Sequence, residues 1–184
     1  MEMAEENQEK QYNDTLNLPR TEFPMRGGLP QKEPEILKRQ QEAGVYRLIR
    51  KAREGCPKYI LHDGPPYANG HIHLGHSLNK ILKDMIVKYK TLQGFDAPYV
   101  PGWDNHGMPI ESAIIKKQKI DRKKLSVPEF RSQCRAFAQH FVERHREQFR
   151  RLGVVGDWDH PYLTMDPAFE ALEIRVFGKM AEKG

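Results

Sequence analysis

The stretch Asp63–His76, which reads DGPPYANGHIHLGH, decides how this chain is organised. Before it lies the apolar run Tyr59–Leu61, which we predict to be a short buried strand because turn-forming residues bound it on both sides. After it, apolar residues recur every three or four positions and predict a helix from about Gly75 to Lys90. A second short strand is predicted at Ala97–Val100. A strand, a helix and a strand joined by short links favour a parallel, right-handed crossover unit.

The histidine end of this stretch has the composition of an anion-binding turn. His73, Gly75 and His76 stand where the turn enters the helix, and free N–H groups at a helix start attract anions. Imidazole N–H groups also donate to phosphate oxygens, and a glycine lets a ligand approach the backbone. We therefore predict a phosphate site. A metal cluster of His71, His73 and His76 is the alternative, which is disfavoured because no cysteine is near and the spacing matches no zinc site.

A second polar cluster, Gly102–Gly107 with the sequence GWDNHG, follows the second predicted strand. The carboxyl ends of parallel strands meet at one edge of a sheet, and open α/β sheets bind ligands at that edge. We therefore expect this cluster to lie beside the histidine turn. Asp104 could hold an ammonium group by a charge-assisted hydrogen bond. The alternative is that Asp104 caps a turn.

The composition is typical of a soluble globular protein. Hydrophobic residues make up 38% and charged residues 30% of the 184 residues. No apolar run approaches the ~20 residues of a membrane helix, and the polar N-terminus does not resemble a secretory signal. The two cysteines, Cys56 and Cys134, are far apart and suggest neither a disulfide framework nor a metal knuckle. We expect a cytoplasmic protein.

The rest of the chain is predicted to form an arm and further helices. Frequent prolines in residues 1–35 indicate an extended surface arm, and a helical pattern follows at Glu35–Glu54. A long helix at about Pro128–Leu152 has phenylalanines on one face and arginines on the others, and a final helix is predicted at Phe169–Lys183. The net charge is +5, and residues 116–124 carry six basic residues against one aspartate. Local basic density of this kind favours binding to phosphate backbones. For the arginines of the long helix, a solvated face is the favoured interpretation and contact with nucleic acid is the alternative.

Asp63–His76 and Gly102–Glu111 together resemble the class I aminoacyl-tRNA synthetases, and the HLGH sequence at His73–His76 is similar to their HIGH signature. DGPPYANG and GWDNHGMPIE are most similar to the isoleucine-specific branch of that family. The resemblance implies an α/β fold, namely the first half of a Rossmann-like nucleotide-binding fold with an N-terminal arm. Residues 1–44 would form the arm and the start of a helix, and residues 45–184 the N-terminal half of the catalytic domain.

The same resemblance implies roles for individual residues at the positions that match the family motifs. The catalytic residues would be His73 and His76. The residues in contact with ATP would be Pro66, Tyr67, Asn69, His73, Gly75 and His76. Those that receive the amino acid would be Gly64, Pro65, Asp104 and His106, with Asp104 on the ammonium group. No metal ligand is expected in this chain.

The implied reaction is ATP-dependent activation of isoleucine to isoleucyl-adenylate, followed by transfer to tRNA(Ile). ATP and Mg²⁺ bound with ATP are the implied cofactors, and any zinc would lie outside this chain. The family's KMSKS loop, editing domain and anticodon-binding helices have no counterpart in these 184 residues. We therefore expect the N-terminal portion of a longer, monomeric enzyme, with little activity alone. The alternatives are a valine or leucine enzyme of the same class, another nucleotidyltransferase of this superfold, and a basic tRNA-binding module without catalysis.

Overall fold

The computed structural model describes residues 15–17 and 27–184. Within these residues the chain forms six α-helices, a short 3-10 helix and two short strands. In chain order they are α1 Leu29–Glu42, α2 Val45–Ala52, α3 Leu74–Leu92, β1 Gly102–Trp103, α4 Met108–Gln118, the 3-10 helix Arg122–Lys124, α5 Val127–Arg151, β2 Tyr162–Leu163 and α6 Pro167–Ala181. Most of the predicted arm, residues 1–14 and 18–26, lies outside the described residues.

The segments on either side of α3 run in parallel, as the predicted order of strand, helix and strand requires. β1 pairs in parallel with β2. Two further parallel bridges, Lys58 to Asp96 and Tyr67 to Asp104, join the segment before α3 to the segment after it. Residues 58–67 therefore lie beside residues 96–104. The latter segment contains β1, and β1 in turn lies beside β2. α3 makes the crossover between the first two segments.

The predicted strands at Tyr59–Leu61 and Ala97–Val100 are wrong as regular strands. Pairing between the two segments is limited to the isolated bridges, and the first regular strand begins only at Gly102. Proline has no N–H group to donate to a ladder and is confined to strand edges and ends. Five prolines interrupt these segments, at Pro57, Pro65, Pro66, Pro98 and Pro101. The parallel direction survives because single bridges need few donors.

The N-terminal helix differs from the prediction at both of its ends. α1 begins at Leu29 rather than Glu35, so residues 29–35 are helical and not part of an extended arm. Pro30 stands in the first turn, where its missing N–H group would have had no helical partner. Gly44 adopts a left-handed conformation between α1 and α2, so the single helix predicted for Glu35–Glu54 is two helices.

The second half of the chain contains one helix that the sequence analysis missed, α4. Its first turn has the proline and the acidic residue that favour a helix start. α5 confirms the long predicted helix and starts with a capping box, in which Ser126 and Glu129 satisfy each other's backbone N–H groups. The predicted final helix is confirmed as α6, although it ends at Ala181 rather than Lys183.

The core lies between α4, α5 and the bridged segments. Its largest buried apolar side chains are Tyr99, Trp103, Ile110, Ile114, Phe130, Phe137, Phe141, Phe149 and Trp158. Four of these belong to the predicted phenylalanine face of α5, which is thus confirmed. Leu152, predicted for the same face, follows the end of α5 and is exposed. α5 therefore forms the wall against which the turn at the sheet edge rests.

α3 faces this core with a polar side. Its buried residues are Lys80, Asp84 and Val87. The apolar stripe that predicts the helix is mostly exposed instead. Ile81 is half-buried, and the exposed members are Leu78, Leu82, Met85, Ile86 and Tyr89. The stripe therefore predicts the helix correctly but not the side of it that meets this core.

Candidate functional site

Asp63, the first residue of the deciding stretch, is a fully buried anchor. Its carboxylate accepts hydrogen bonds from Nζ of Lys80, from Nζ of Lys83 at 2.8 Å and from the backbone N–H of Gly102 at 3.1 Å. Burial alone would raise the pKa of Asp63, but the charge of Lys80 and these hydrogen bonds hold it below its usual value of 3.8. The ionised carboxylate therefore ties this end of the stretch to α3 and β1.

Tyr162 on β2 also binds Asp63, in addition to the contacts from α3 and β1. Its hydroxyl donates to the backbone carbonyl oxygen of Asp63. Its ring packs directly on Gly102, where a Cβ atom would lie 2.0 Å from a ring carbon. A larger residue at Gly102 would displace the ring and with it the bond to Asp63. The absence of a side chain at Gly102 therefore allows the Tyr162 ring to pack directly against the backbone at this edge.

The two predicted clusters lie side by side at this edge, as expected from the order of the segments. The backbone N–H of Asp104 donates to the carbonyl oxygen of Pro66 at 3.0 Å, and that of Ala68 donates to the carbonyl oxygen of Asp104 at 3.2 Å. The Asp104 carboxylate is half-buried and lies 4.0 Å from Nδ1 of His106. Thr164 Oγ1 also approaches it, at 3.4 Å. Asp104 therefore has a fixed position and an oxygen left open to a cationic ligand.

The two histidines cap the helix that they begin. His73 is the N-cap residue of α3, and its Nδ1 accepts from the backbone N–H of Gly75 at 3.1 Å. The Nδ1 atom of His76 accepts in turn from the backbone N–H of His73 at 3.4 Å. The two rings stack with their centroids 3.8 Å apart. A Cβ on Gly75 would lie 3.0 Å from the His73 ring, so the glycine also leaves room for the cap.

This capping sets the tautomer of both rings. Because each Nδ1 accepts a hydrogen bond, the proton of each neutral ring is on Nε2. Partial burial lowers the pKa of His76, and the neighbouring His73, His145 and Lys80 disfavour its cation further. His76 is therefore neutral near pH 7. Its Nε2–H is the donor that this arrangement leaves for a ligand.

The turn between the anchor and the histidine pair is held from behind by two helices. Lys117 Nζ on α4 donates to the carbonyl oxygen of Asn69 at 2.6 Å. His145 Nε2 on α5 lies 2.6 Å from the carbonyl oxygen of Gly70. Successive backbone carbonyls are thus satisfied by side chains rather than by a regular turn. These hydrogen bonds satisfy backbone polar groups of the turn and hold its backbone in one conformation.

The structure brings the predicted site residues into two adjoining groups. Residues 64–69, which include the predicted Gly64, Pro65, Pro66, Tyr67 and Asn69, run along the sheet edge from Asp63, and Asp104 with His106 lies beside them. The histidine pair with Gly75 stands at the far end of the turn, where His76 approaches His145 with 5.9 Å between ring centroids. Tyr67 is 48% exposed, so its ring is accessible to a ligand.

Sequence reasoning missed the residues that support the site, namely Lys80, Lys83, Lys117 and His145. A signal for one of them was present. His145 stands four residues after Phe141 and four before Phe149, so it is a polar residue on the apolar stripe of a helix. Such a residue must find hydrogen-bond partners in the core. The partners of the lysines depend on which sides of α3 and α4 face the turn, which no spacing rule predicts.

A cavity of about 610 Å³ lies away from this edge, between α1, α2 and residues 153–160. It contains none of the residues with predicted roles, so we assign the site by chemistry rather than by volume. Among residues 15–17 and 27–184, no group of three or more His, Cys, Asp or Glu side chains is arranged to hold a metal ion. In the same part of the chain, no helix is long and apolar enough to cross a membrane.

Comparison with known sequences finds a consistent set of relatives. The sequence model of the family described as tRNA synthetases class I (I, L, M and V) matches residues 35–184. A protein of Desulfitobacterium hafniense (strain DSM 10664 / DCB-2) named isoleucine–tRNA ligase is 61% identical over 172 residues, which are 94% of this chain and 19% of that protein. The protein of the same name from Bacillus subtilis (strain 168) is 57% identical over 173 residues, again 94% of this chain and 19% of the relative.

Comparison with solved structures finds the same fold at low sequence identity. The chain resembles the agnB2 LeuRS of Agrobacterium radiobacter K84, solved in a ternary complex with tRNA and LeuAMS. The TM-score is 0.66 at 19% identity, over 86% of this chain and 18% of that one. This likeness shows a shared architecture. The chain spans about a fifth of the length of the relatives that it matches.

Proposed function

Because this chain belongs to the class I tRNA synthetase family (I, L, M and V), we propose that it supplies the first part of an active site that activates isoleucine with ATP. The products of the first step would be isoleucyl-adenylate and pyrophosphate. In the second step the isoleucyl group would pass to tRNA(Ile) and AMP would leave. The identity of about 60% with proteins named isoleucine–tRNA ligase supports isoleucine as the amino acid.

The observation that carries this proposal is the pairing of Tyr67 with Asp104 at the sheet edge. Tyr67 belongs to the turn that ends in the histidine pair, and Asp104 is a half-buried carboxylate with few other bonds. The pairing lets one edge offer donors to a phosphate chain and an acceptor to an ammonium group. An enzyme that joins an amino acid to a nucleotide needs both.

The histidine pair suits a role as hydrogen-bond donors. Nε2–H of His73 and of His76 would donate to phosphate oxygens as negative charge builds on them in the transition state. Such hydrogen bonds stabilise the developing charge without a proton transfer. Pro66, Tyr67, Asn69 and Gly75 would complete the ATP contacts.

Asp104 would hold the ammonium group of isoleucine by a charge-assisted hydrogen bond. His106, beside Asp104, would border the same pocket, and Gly64 and Pro65 would form the wall for the amino acid. The backbone bonds that join Asp104 to Pro66 and Ala68 would then keep the two substrates at a fixed separation.

Mg²⁺ would enter with ATP rather than bind to a site of its own. The described residues offer no set of three metal-ligating side chains, so the fit of this chain to a resident ion is poor. We further propose that the protein works as a monomer in the cytoplasm. We also propose that tRNA binding and the remaining catalytic groups depend on regions that the relatives possess outside the 19% of their length matched by this chain.

Amino-acid-dependent exchange of pyrophosphate into ATP tests the proposal. The protein in its full natural length is incubated with labelled pyrophosphate, ATP and either isoleucine, valine or leucine. We expect exchange to be fastest with isoleucine. Faster exchange with valine or leucine would assign the chain to another member of the class, and no exchange with any of the three would refute the proposal. The 184 residues alone are expected to charge no tRNA.

A further inference from the structure

The turn Tyr67–Ile72 is fastened to the helices behind it through its backbone. The carbonyl oxygens of two consecutive residues, Asn69 and Gly70, each lie within hydrogen-bond distance of one side-chain nitrogen from these helices. Lys117, which meets the first, also lies 4.9 Å from the centroid of a phenylalanine ring on α5. The second is met by a residue with no role in the chemistry proposed above, His145. Its position in the core calls for a physical reason.

His145 is completely buried, and both of its ring nitrogens are used. The indole N–H of Trp103 donates to Nδ1 of His145 at 3.2 Å. Nδ1 is therefore an acceptor, so the proton of the neutral ring is on Nε2 and is donated to the carbonyl oxygen of Gly70 at 2.6 Å. Two residues after Gly70, Gln148 Oε1 accepts from the backbone N–H of Ile72 at 3.4 Å. α5 thus holds the turn at two points.

The protonation state of His145 fits these two hydrogen bonds. Burial lowers the pKa of His145, and the charges of Lys80 and His71 lower it further, while the bond to Gly70 acts in the opposite direction. The ring is therefore neutral near pH 7, which is the state that can both accept from Trp103 and donate to Gly70. The ring of His76 also lies near the ring of His145, with 5.9 Å between the two centroids.

We infer that His145 is a positioning residue for nucleotide binding, which joins Trp103 of β1 to Gly70 and thereby fixes the turn between Asn69 and the histidine pair. The inference rests on the proposed function, because ATP is the ligand that this turn would hold. His145 would not touch ATP. It would act by removing the freedom of the turn before the ligand arrives, so that less conformational entropy is lost on binding.

Two substitutions separate this role from simple packing. In His145→Gln, the side-chain oxygen can accept from Trp103 and the side-chain N–H can donate to Gly70, so the turn keeps both links. In His145→Leu, a side chain of similar bulk fills the space but makes neither bond. Val142→Ala is the matched control, because it removes buried volume from the same helix one turn earlier.

Pyrophosphate exchange by the full-length protein gives the Michaelis constant for each substrate. We expect His145→Leu to raise the KM for ATP by about ten-fold or more, because two buried polar groups lose their partners and the turn loses its fixed position. The KM for isoleucine should change much less. His145→Gln should restore most of the ATP affinity, and Val142→Ala should leave it near the wild-type value. An unchanged KM for ATP in folded His145→Leu, or an equal rise in Val142→Ala, would overturn the inference.

A measurement on the unmodified chain keeps the inference testable if His145→Leu does not fold. Nitrogen-15 NMR of the histidine rings should show His145 neutral near pH 7, with the proton on Nε2; a proton on Nδ1 would overturn the inference. Calorimetric titration with ATP separates the two proposals. If ATP binds, and binds about ten-fold more weakly to His145→Leu, while no isoleucine-dependent exchange occurs, the positioning role stands and the proposed function falls.

Discussion

The two ends of the stretch from Asp63 to His76 are held in opposite ways. The Asp63 carboxylate is fully buried and is bonded by α3 and by β1, while β2 bonds the backbone of the same residue. Of the histidine pair, His73 is exposed and His76 is half-buried. Their hydrogen bonds are made within the first turn of their own helix. The first end is therefore built into the fold, whereas the second is ordered locally and keeps a donor on each ring.

This difference separates two roles along the stretch from Asp63 to His76. The Asp63 end contributes to the stability of the fold, and the histidine end is available to bind a ligand. Residues whose bonds are all satisfied inside the protein have nothing to offer a ligand, and their loss is felt by the fold. Residues that are ordered but not saturated can bind without first breaking an internal bond. Mutations at the two ends should therefore affect different quantities, and the following predictions proceed from the largest effect to the smallest.

Asp63→Asn should give the largest loss of stability. The substitution removes the charge that compensates the buried ammonium of Lys80, and breaking one partner of a buried pair costs about 3–5 kcal/mol of unfolding free energy. Urea unfolding followed by circular dichroism would measure it. Glu42→Gln is the control, because Glu42 forms an exposed pair with Lys38 and should cost less than about 1 kcal/mol. A loss in Asp63→Asn as small as in the control would show that the anchor is not essential to the fold.

His76→Ala should give the largest loss of activity. Removing one preorganised donor to the transition state costs about 3 kcal/mol, which is on the order of 100-fold in the turnover of pyrophosphate exchange. The loss of the bond to the His73 N–H should lower stability by only about 1 kcal/mol. His160→Ala, at an exposed histidine outside the turn, is the control. Unchanged turnover, or a stability loss as large as that of Asp63→Asn, would remove the contrast between the two ends.

Asp104→Asn should act on the amino acid rather than on the fold. Asp104 directly follows β1 and forms an isolated bridge with Tyr67 of the turn. Its carboxylate is half-buried, so its bond to an ammonium group is worth about 1.5–3 kcal/mol before solvent screening reduces it. The KM for isoleucine should rise by roughly ten-fold, while the KM for ATP should change little. Asp121→Asn, in the exposed 3-10 turn, is the control. A rise confined to the KM for ATP would place the ammonium group elsewhere.

The sequence predicts this edge better than it predicts the residues that support it. The helix after the turn, the parallel direction and the neighbouring position of Asp104 follow from apolar spacing and from the order of the segments. The regular strands do not follow, because prolines remove the donors of the ladder. The contacts of Lys80, Lys117 and His145 could not be predicted, because they depend on which sides of α3, α4 and α5 meet the turn. On α3 the polar side does so, against the usual rule for an amphipathic helix.

The weakest expected effect, and the sharpest comparison of the two ends, is the dependence of stability on pH. His76 and His145 have folded-state pKa values below the ordinary 6.5, so on acidification the unfolded chain binds protons before the folded chain does. Their contribution is therefore complete above pH 6.5 and is lost as the pH falls below it. Asp63 has a folded pKa below 3.8, so its contribution is lost only below that value. Urea unfolding from pH 8 to about pH 4.5 should show a free energy of unfolding that falls below pH 6.5 because of His76 and His145, and not because of Asp63. The fall should be smaller in His145→Gln. A stability that increases as the pH falls through 6.5 would contradict the neutral state of His76 and His145, in which the Nδ1 atom of each ring accepts a hydrogen bond.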